Sequence, residues 1–185
     1  MRAVFLALSE SSKFSNISEL KRSWVQLLDY TDKIIFDRRQ LAERLEDCPR
    51  PLVFTNGCFD ILHRGHLDYL TRSAALGNFL LVGVNDDASV HRLNKGKDRP
   101  FNSLQDRIEI LAGLECINCV APFHEDTPLE LIQLVRPDHL VKGGDWSTDQ
   151  IVGNQFVSEN GGHVHSLPFL YPHSTSEFIR RIQLS

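Results

Sequence analysis

Short apolar runs that alternate with helix signals are the feature that most constrains the fold of this chain. Five such runs lie downstream of residue 50, at 52–55, 79–84, 117–123, 139–141 and 164–169. Runs of this length, rich in β-branched residues, predict strands that are buried on both faces of a parallel sheet. Between them, helix starts such as Ser103-Leu104-Gln105-Asp106 and Thr127-Pro128 predict crossover helices. The pattern predicts a Rossmann-like, doubly wound α/β fold, with a five-stranded parallel sheet and helices on both faces.

The first fifty residues carry weaker helical patterns. A capping-box pattern occurs at residues 16–19, and Leu41 and Leu45 lie four residues apart, ahead of a pair of prolines. We therefore predict a short helical N-terminal extension over residues 1–49 and a single domain over residues 50–185.

The composition argues against several classes of protein. The net charge is −4, which does not suit a protein that binds nucleic acid without sequence preference. The longest apolar runs, such as Val4–Leu8, are shorter than the roughly 18–20 residues of a membrane span and the roughly 7–15 of a signal-peptide core. We expect a cytoplasmic protein with no nucleic-acid partner and no membrane partner.

Two of the four cysteines have the spacing of a metal or redox motif. Cys116 and Cys119 are separated by two residues, but Cys48 and Cys58 do not form the second close pair that a structural zinc site needs. We expect all four to be reduced, inert thiols.

Two histidines follow the first predicted strand, in the segment T-N-G-C-F-D-I-L-H-R-G-H that ends at His66. Gly57 allows a tight turn after the strand, and His63 and His66 lie three residues apart, on one face at the start of a helix. Imidazoles beside the unpaired N–H groups of a helix start suit a phosphate. A zinc pair and hydrogen-bonded filler residues are the two alternatives.

A run of cations follows the second predicted strand, comprising Arg92, Lys95, Lys97 and Arg99. Such a run is either a solvated loop or a loop that reaches phosphate groups. Because it follows a strand, we predict that it reaches the phosphates, with Lys95 as the first candidate and Lys97 as the second.

The H-R-G-H segment resembles the H-x-G-H signature of the nucleotidylyltransferase superfamily. The longer string around it resembles one branch of that superfamily, the adenylyltransferase domains of ADP-heptose synthases. Arg64 departs from that pattern and adds a cation close to the expected phosphate site. The resemblance extends from about residue 33 to the C-terminus and includes segments at 84–89, 99–100, 125–128, 140–145, 159–162 and 174–175.

The resemblance implies an enzyme that transfers AMP from ATP to D-glycero-β-D-manno-heptose 1-phosphate, giving ADP-heptose and pyrophosphate for lipopolysaccharide heptose supply. It also implies a separate upstream kinase for heptose 7-phosphate, because 185 residues leave no room for a kinase domain. Mg²⁺ is expected to arrive with ATP, since magnesium prefers phosphates and water to a cage made of protein groups. A homo-oligomer is compatible with the sequence, which does not determine the oligomeric state.

The resemblance, together with the positions of these residues after the predicted strands, implies a set of site residues. The catalytic group comprises His63, His66, Asp60 and Lys95. Asn85 and Asp87 are predicted on the sugar side, and no residue is predicted to bind a metal directly. The predicted nucleotide-binding residues are Asn56, Gly57, Cys58, Phe59, Arg107, Gly143, Asp145, Ser174, Thr175 and Ser176.

Three other functions use the same residues. The first is a cytidylyltransferase that acts on glycerol 3-phosphate or a similar alcohol phosphate, because H-x-G-H contacts phosphates and not the base. The second is a nucleotide-binding protein on the same fold that has no turnover. The third is a zinc hydrolase that uses His63 and His66.

Overall fold

The five predicted strands occur as one parallel sheet in the computed structural model, which describes residues 29–93 and 99–171. The strands are β1 (Leu52–Gly57), β2 (Phe79–Asn85), β3 (Cys119–Phe123), β4 (His139–Gly143) and β5 (His163–Leu167). Their order in the sheet is β3-β2-β1-β4-β5, and every neighbouring pair is parallel. The predicted doubly wound five-stranded fold is confirmed.

Six helices accompany the sheet within the described part of the chain. They are α1 (Arg38–Glu46), α2 (Arg64–Ala74), α3 (Asp87–Arg92), α4 (Leu104–Ala112), α5 (Leu129–Val135) and α6 (Asn154–Glu159). Short 3-10 turns lie at Thr31–Lys33 and Thr148–Gln150. Ser103 caps α4 as the sequence predicts, and its side chain accepts from the Asp106 N–H. Helix α5 begins one residue later than predicted, with Pro128 at its N-cap and no side-chain cap.

Two apolar layers cover the two faces of the sheet. Alternate residues of β1 point to opposite layers, with Phe54 in one and Val53 in the other. The Phe54 layer includes buried residues of α1, α5 and α6, whereas the Val53 layer includes residues of α2 and α4. Strand β2 is buried along its whole length, which explains its continuous apolar sequence.

The contacts of the chain divide it into residues 1–32 and 33–185. Within the second unit, Ile34 pairs with Val120 of β3, and Leu41 of α1 is part of the core. The boundary that the sequence predicts between residues 49 and 50 stays a prediction. The contacts of Leu41 show that α1 packs on the sheet. The capping-box pattern at residues 16–19 lies outside the described residues.

The order of the strands determines where a ligand site can form. The chain builds β1, β2 and β3 outward in one direction and then crosses back to place β4 on the other side of β1. Loops therefore diverge between the carboxyl ends of β1 and β4, and such a switch point leaves a crevice. No helix within the described ranges has the length and hydropathy to cross a bilayer.

Candidate active site

A cleft of about 520 Å³ lies at the carboxyl ends of β1 and β4. The end of β1 and the loop after it form one side, and the end of β4 forms another. Two of its lining residues, Val90 and Arg99, come from the region that follows β2. The lining residues are Asn56, Gly57, Cys58, Phe59, Asp60, His66, Val90, Arg99, Lys142, Gly143, Trp146 and Phe169.

The loop after β1 has a constrained backbone. Phe59 adopts a left-handed conformation with φ of 48°, which is uncommon for a bulky residue. Its ring is buried and lies so close to Gly57 that a Cβ atom there would be 3.1 Å from it. Gly57 is therefore needed for a close approach, and the buried ring holds the loop in a conformation that costs backbone energy.

His63 and His66 lie together at the start of α2. His63 is the N-cap of the helix, and its Nδ1 accepts a hydrogen bond from the Gly65 N–H at 3.1 Å. Because Nδ1 accepts, the neutral ring carries its proton on Nε2. The two imidazole rings stack, with centroids 3.9 Å apart and an interplanar angle of 27°. The structure thus brings together the predicted pair at a helix N-terminus.

His66 has a strongly perturbed ionisation equilibrium. Burial, and then the neighbouring His63, lowers the pKa of His66 from 6.5 to about 4. Its ring makes an edge contact with Phe59, with centroids 5.5 Å apart. Its Nδ1 atom is buried and has no partner among residues 29–93 and 99–171. At neutral pH the free protein therefore presents His66 as an uncharged imidazole.

Asp60 lines the cleft, and its carboxylate is fully engaged by protein donors. Oδ2 accepts from Arg99 Nε at 2.9 Å, while Oδ1 accepts from the Phe101 and Asn102 N–H groups at 2.8 and 3.0 Å. The side chain of Asp60 is completely buried. The predicted catalytic role of Asp60 stays a prediction, and the geometry favours a part in positioning the segment 99–102.

Arg107 is the largest fully buried side chain in the described part of the chain, with 1% exposure. Its guanidinium donates to the Cys58 carbonyl at 2.5 Å, to the Asn102 carbonyl at 3.1 Å and to the Asp87 carboxylate at 2.7 Å. It is not among the residues that line the cleft. The structure thus places this predicted nucleotide-binding residue behind the loop after β1, where it fixes that loop.

The two residues predicted for the sugar side are also held by protein groups. The buried Asn85 donates from Nδ2 to Ser89 Oγ at 2.8 Å, and Asp87 accepts from Arg107. Neither lines the cleft. Their assignment to the sugar stays a prediction.

The ends of β4 and β5 supply a cation and two exposed aromatic rings. Lys142 Nζ donates to Asn56 Oδ1 at 3.4 Å, across the gap between β4 and β1. Gly143 lies under the ring of Phe169, where a Cβ atom would be only 2.7 Å from that ring, and Trp146 Nε1 donates to the Gly143 carbonyl at 3.1 Å. Trp146 is 51% exposed and Phe169 is 44% exposed. The predicted residue Asp145 is exposed and does not line the cleft.

Several predicted residues lie outside the described ranges. They are Lys95, Ser174, Thr175 and Ser176, together with the second lysine candidate, Lys97. Their assignments stay predictions.

Among the described residues that line the cleft, sequence reasoning missed Val90, Lys142, Trp146 and Phe169, and it named Arg99 only as part of the cationic run. One of these residues had a usable signal, because Lys142 directly precedes the predicted Gly143. Trp146 and Phe169 had none beyond their positions shortly after strands.

The donor set of the cleft indicates how Mg²⁺ would be held. Among the described residues that line the cleft, Asp60 carries the only carboxylate, and N–H groups occupy both of its oxygens. Within the described ranges no group of three or more histidine, cysteine or acidic side chains is arranged around an ion. That Mg²⁺ arrives with the phosphates of a nucleotide stays a prediction.

All four cysteines are unpaired thiols. Burial raises the pKa of Cys48 and Cys116, and raises that of Cys119 to about 12. These three thiols are therefore protonated at neutral pH, a state with low nucleophilicity.

Known proteins resemble this chain both in sequence and in fold. Residues 54–181 match the cytidylyltransferase-like family. The chain is 53% identical over 135 residues to a D-beta-D-heptose 1-phosphate adenylyltransferase of Bordetella bronchiseptica, which covers 73% of this chain and 83% of that protein. It is 48% identical over 160 residues to the bifunctional protein HldE of Helicobacter hepaticus, which covers 86% of this chain. That match covers 32% of the relative, so the chain spans about a third of its length.

Two solved structures share the fold. One is the lipopolysaccharide core biosynthesis protein of Thermoplasma volcanium, with a TM-score of 0.54 and 28% identity over 66% of this chain and 98% of that chain. The other is the pantoate-beta-alanine ligase of Francisella tularensis, with a TM-score of 0.53 and 16% identity over 77% of this chain and 68% of that chain. The second likeness concerns the fold alone.

Proposed function

This chain belongs to the cytidylyltransferase-like family, and from that premise we propose that it is an adenylyltransferase. It transfers AMP from ATP to D-glycero-β-D-manno-heptose 1-phosphate, giving ADP-heptose and pyrophosphate. The observation that carries the proposal is the 53% identity to a heptose 1-phosphate adenylyltransferase along 83% of that protein. The cleft at the switch point agrees with it, because it combines His66, whose ring stacks on that of His63, with the cationic side chains of Arg99 and Lys142.

The reaction is a substitution at phosphorus. A phosphate oxygen of the sugar 1-phosphate attacks the α-phosphorus of ATP, and the bond from that phosphorus to the bridging oxygen of the β-phosphate breaks. Pyrophosphate leaves with the electron pair of the broken bond. Because the attacking oxygen is already anionic, the protein needs no general base. It has to align the two substrates and stabilise the charge that develops on the phosphates.

The histidine pair supplies donors for that charge. With its Nδ1 bonded to the Gly65 N–H, His63 directs its Nε2–H away from the helix backbone. His66 adds a second imidazole from one turn later, and the loop N–H groups of Cys58 and Phe59 lie at the same end of β1. Donors that the fold holds in place before the substrate arrives cost no reorganisation during the reaction. Mg²⁺ bound to the nucleotide phosphates neutralises part of their charge.

The aromatic rings at the end of β4 suit the nucleoside. Trp146 and Phe169 both pack on the backbone of Gly143 and Gly144 and remain about half exposed. Exposed rings over flat backbone provide stacking surfaces for a base. Asp145 lies beside Trp146 and stays the predicted acceptor for ribose hydroxyls.

The same proposal includes the metabolic pathway and the cellular location of the enzyme. ADP-heptose made by this reaction supplies heptose to lipopolysaccharide, and a kinase acting on heptose 7-phosphate must precede it in the sequence of reactions. We place the reaction in the cytoplasm, where ATP is available, and the proposal leaves a homo-oligomer open. The competing candidate is a cytidylyltransferase for glycerol 3-phosphate, which the family name alone also suits.

An assay of pyrophosphate release distinguishes between these two functions. The protein is incubated with Mg²⁺ and each pairing of ATP or CTP with heptose 1-phosphate or glycerol 3-phosphate. We expect ATP with heptose 1-phosphate to give the highest kcat/KM, by at least about 100-fold, which corresponds to about 2.7 kcal/mol. A preference for CTP, or no turnover of heptose 1-phosphate under any condition, would contradict the proposal.

A further inference from the structure

The segment that directly follows β5, residues 168–171, forms part of the wall of the cleft, and we call it the wall segment. Its residue Phe169 lines the cleft, with the ring so close to Gly143 that a Cβ atom there would be 2.7 Å from it. The neighbouring Leu170 is 61% exposed. The wall segment belongs to no helix or strand. Since no ladder of backbone hydrogen bonds fixes it, the position of Phe169 depends on contacts made by side chains.

Helix α2 supplies contacts to the start of the wall segment. The ring of Tyr69 packs edge-on against that of Phe169, with centroids 5.8 Å apart and an interplanar angle of 62°. One turn further along the helix, Arg72 Nη2 donates to the Pro168 carbonyl at 2.7 Å. Arg72 is itself held by Asp68, which accepts from its Nε at 2.9 Å. The start of the wall segment is therefore anchored on α2.

Arg64 contacts the other end of the wall segment. Its Nη2 donates to Tyr171 Oη at 2.8 Å, and its Cζ lies 3.8 Å from the centroid of the tyrosine ring. The tyrosine thus offers the guanidinium both a hydrogen-bond acceptor and a cation–π contact. Arg64 and Arg72 are eight residues apart, which places them on the same side of the helix. The two arginines therefore hold the two ends of a four-residue segment.

Neither the helix nor the cleft explains the presence of a cation at position 64. Arg64 is the first residue of α2, where the positive end of the helix dipole disfavours a cation, and the first turn holds no acidic residue. The side chain is exposed, and it is not among the described residues that line the cleft. The contacts with Tyr171 account for its orientation, so the geometry favours a role through that residue over a direct contact with phosphate.

We infer that Arg64 is a positioning residue, which acts through Tyr171 to hold the wall segment, and with it Phe169, in the conformation that receives the nucleotide. The inference rests on the proposed function, because that function supplies the nucleotide. The helix whose start carries His63 and His66 then also sets the opposite wall of the cleft. A wall that is ordered before the ligand arrives lowers the entropic cost of binding.

The first test measures ATP binding by calorimetry for Arg64→Ala and for a matched control, Arg39→Ala. Arg39 is also an exposed arginine in the first turn of a helix, and it pairs with Glu43 at 3.1 Å, away from the cleft. We expect Arg64→Ala to weaken ATP binding by about 5- to 20-fold and Arg39→Ala to leave it unchanged. Circular dichroism and thermal melting first show that each variant is folded. Unchanged ATP affinity in folded Arg64→Ala would overturn the inference.

Kinetics distinguish this positioning role from a role in the chemical step. The kcat of Arg64→Ala at saturating ATP should stay within about threefold of the wild type, while the KM for ATP rises. The reason is that the wall segment acts on binding, whereas the histidine pair that acts on the developing charge is retained. A large loss of kcat with an unchanged KM for ATP would contradict the inference.

A double-mutant cycle tests whether Arg64 acts through Tyr171. If it does, Tyr171→Ala should weaken ATP binding about as much as Arg64→Ala, and the double variant should be no weaker than either single variant. If Arg64 contacts a phosphate group directly, Tyr171→Ala should leave the affinity near that of the wild type, or the two losses should add. Either of these last two results would overturn the inference.

Limited proteolysis tests the state of the wall segment without any ligand. Chymotrypsin cleaves after phenylalanine, and cleavage of the Phe169–Leu170 bond requires the wall segment to leave its place on α2. The rate of this cleavage, followed by mass spectrometry, should rise at least about fivefold in Arg64→Ala and should stay at the wild-type value in Arg39→Ala. An equal rate in the wild type and in Arg64→Ala would show that Arg64 does not hold the segment.

These measurements also distinguish failure of the inference from failure of the proposed function, because ATP binding and proteolysis need no sugar. If the variants behave as expected but the wild type does not turn over heptose 1-phosphate, the substrate assignment fails and the role of Arg64 stands. If wild-type turnover is normal and Arg64→Ala matches the wild type in ATP affinity and in cleavage rate, only the inference fails.

Discussion

At the scale of single residues, burial decides the chemical state of His66. Its pKa of about 4 means that the free enzyme carries an uncharged ring at neutral pH, next to the stacked ring of His63. The nearby His63 ring, with its centroid 3.9 Å away, adds to the effect of burial in disfavouring a charge on His66. The negative charge of a bound triphosphate favours the protonated ring, so substrate binding is expected to raise this pKa.

His66→Ala is predicted to lower kcat by about 10²- to 10³-fold, as for the loss of one preorganised donor to a transition state. The loss of ATP affinity should be smaller than the loss of kcat, because the donor acts on charge that grows during the reaction. His66→Asn keeps an N–H donor and should retain more activity than alanine. The control is His124→Ala, which changes a largely exposed histidine that does not line the cleft. Near-wild-type kcat in folded His66→Ala would contradict the predicted role.

The lowered pKa of His66 also predicts a dependence of stability on pH. In the unfolded chain the ring titrates near 6.5, whereas in the folded protein it titrates near 4. Between these values the unfolded state binds more protons, so the free energy of unfolding falls as the pH falls below about 6.5. The protonation of His66 alone should lower the free energy of unfolding by about 2 kcal/mol between pH 7 and pH 5.

Urea unfolding at the two pH values, for the wild type and for His66→Asn, measures this term. The comparison is needed because burial also lowers the pKa of His139 and His165. Both proteins contain those two rings, so the difference in their pH dependence isolates His66. Equal losses of stability in the two proteins would show that His66 is not the group responsible.

At the scale of elements, the ends of α6 depend on backbone conformations that suit glycine. Gly153 precedes the helix with φ of +90°, and Gly161 follows it with φ of +80°. The two positions differ in their surroundings. A Cβ atom at Gly153 would lie 2.7 Å from Ile132 of the buried core, whereas a Cβ atom at Gly161 would have no atom within 4 Å.

Alanine at each of these glycines should therefore destabilise the protein by different amounts. Gly161→Ala should lower the free energy of unfolding by about 1 kcal/mol, which is the cost of a left-handed conformation for an L-residue. Gly153→Ala should cost about 2 kcal/mol more, because it also forces Ile132 to move within a packed core. Denaturant unfolding measures both values. Equal costs would mean that the core around Ile132 adapts without strain.

At the scale of the whole molecule, the cleft-lining residues within 29–93 and 99–171 all belong to the unit formed by residues 33–185. We predict that deletion of residues 1–30 leaves kcat within about threefold of the wild type, a change of about 0.7 kcal/mol in the barrier. The measurement is pyrophosphate release by the truncated protein, with its folding and its state of association checked against the full chain. A loss of more than about a hundredfold in a folded, equally assembled protein would show that this segment contributes to the active site.

The sequence by itself determined the strands and their arrangement. Short apolar runs such as the one over β2 cannot be left in water, and a run with no polar alternation must be covered on both faces. Parallel strands joined by helices then follow, and with them a crevice at the switch point. The start of α2 was also readable, because the turn at Gly57 and the spacing of His63 and His66 depend on nearby residues only.

Only the tertiary structure decided which side chains face the cleft and which are held by hydrogen bonds to other parts of the protein. Arg107, whose role at the nucleotide stays a prediction, is buried and donates to the Cys58 carbonyl, 49 positions away in sequence. Arg99 meets Asp60 across 39 positions, and Lys142 meets Asn56 across 86. The physical reason is the same in each case. Local spacing sets the face of a helix or strand, whereas the partner of a long cationic side chain depends on which loops the sheet order brings to one edge.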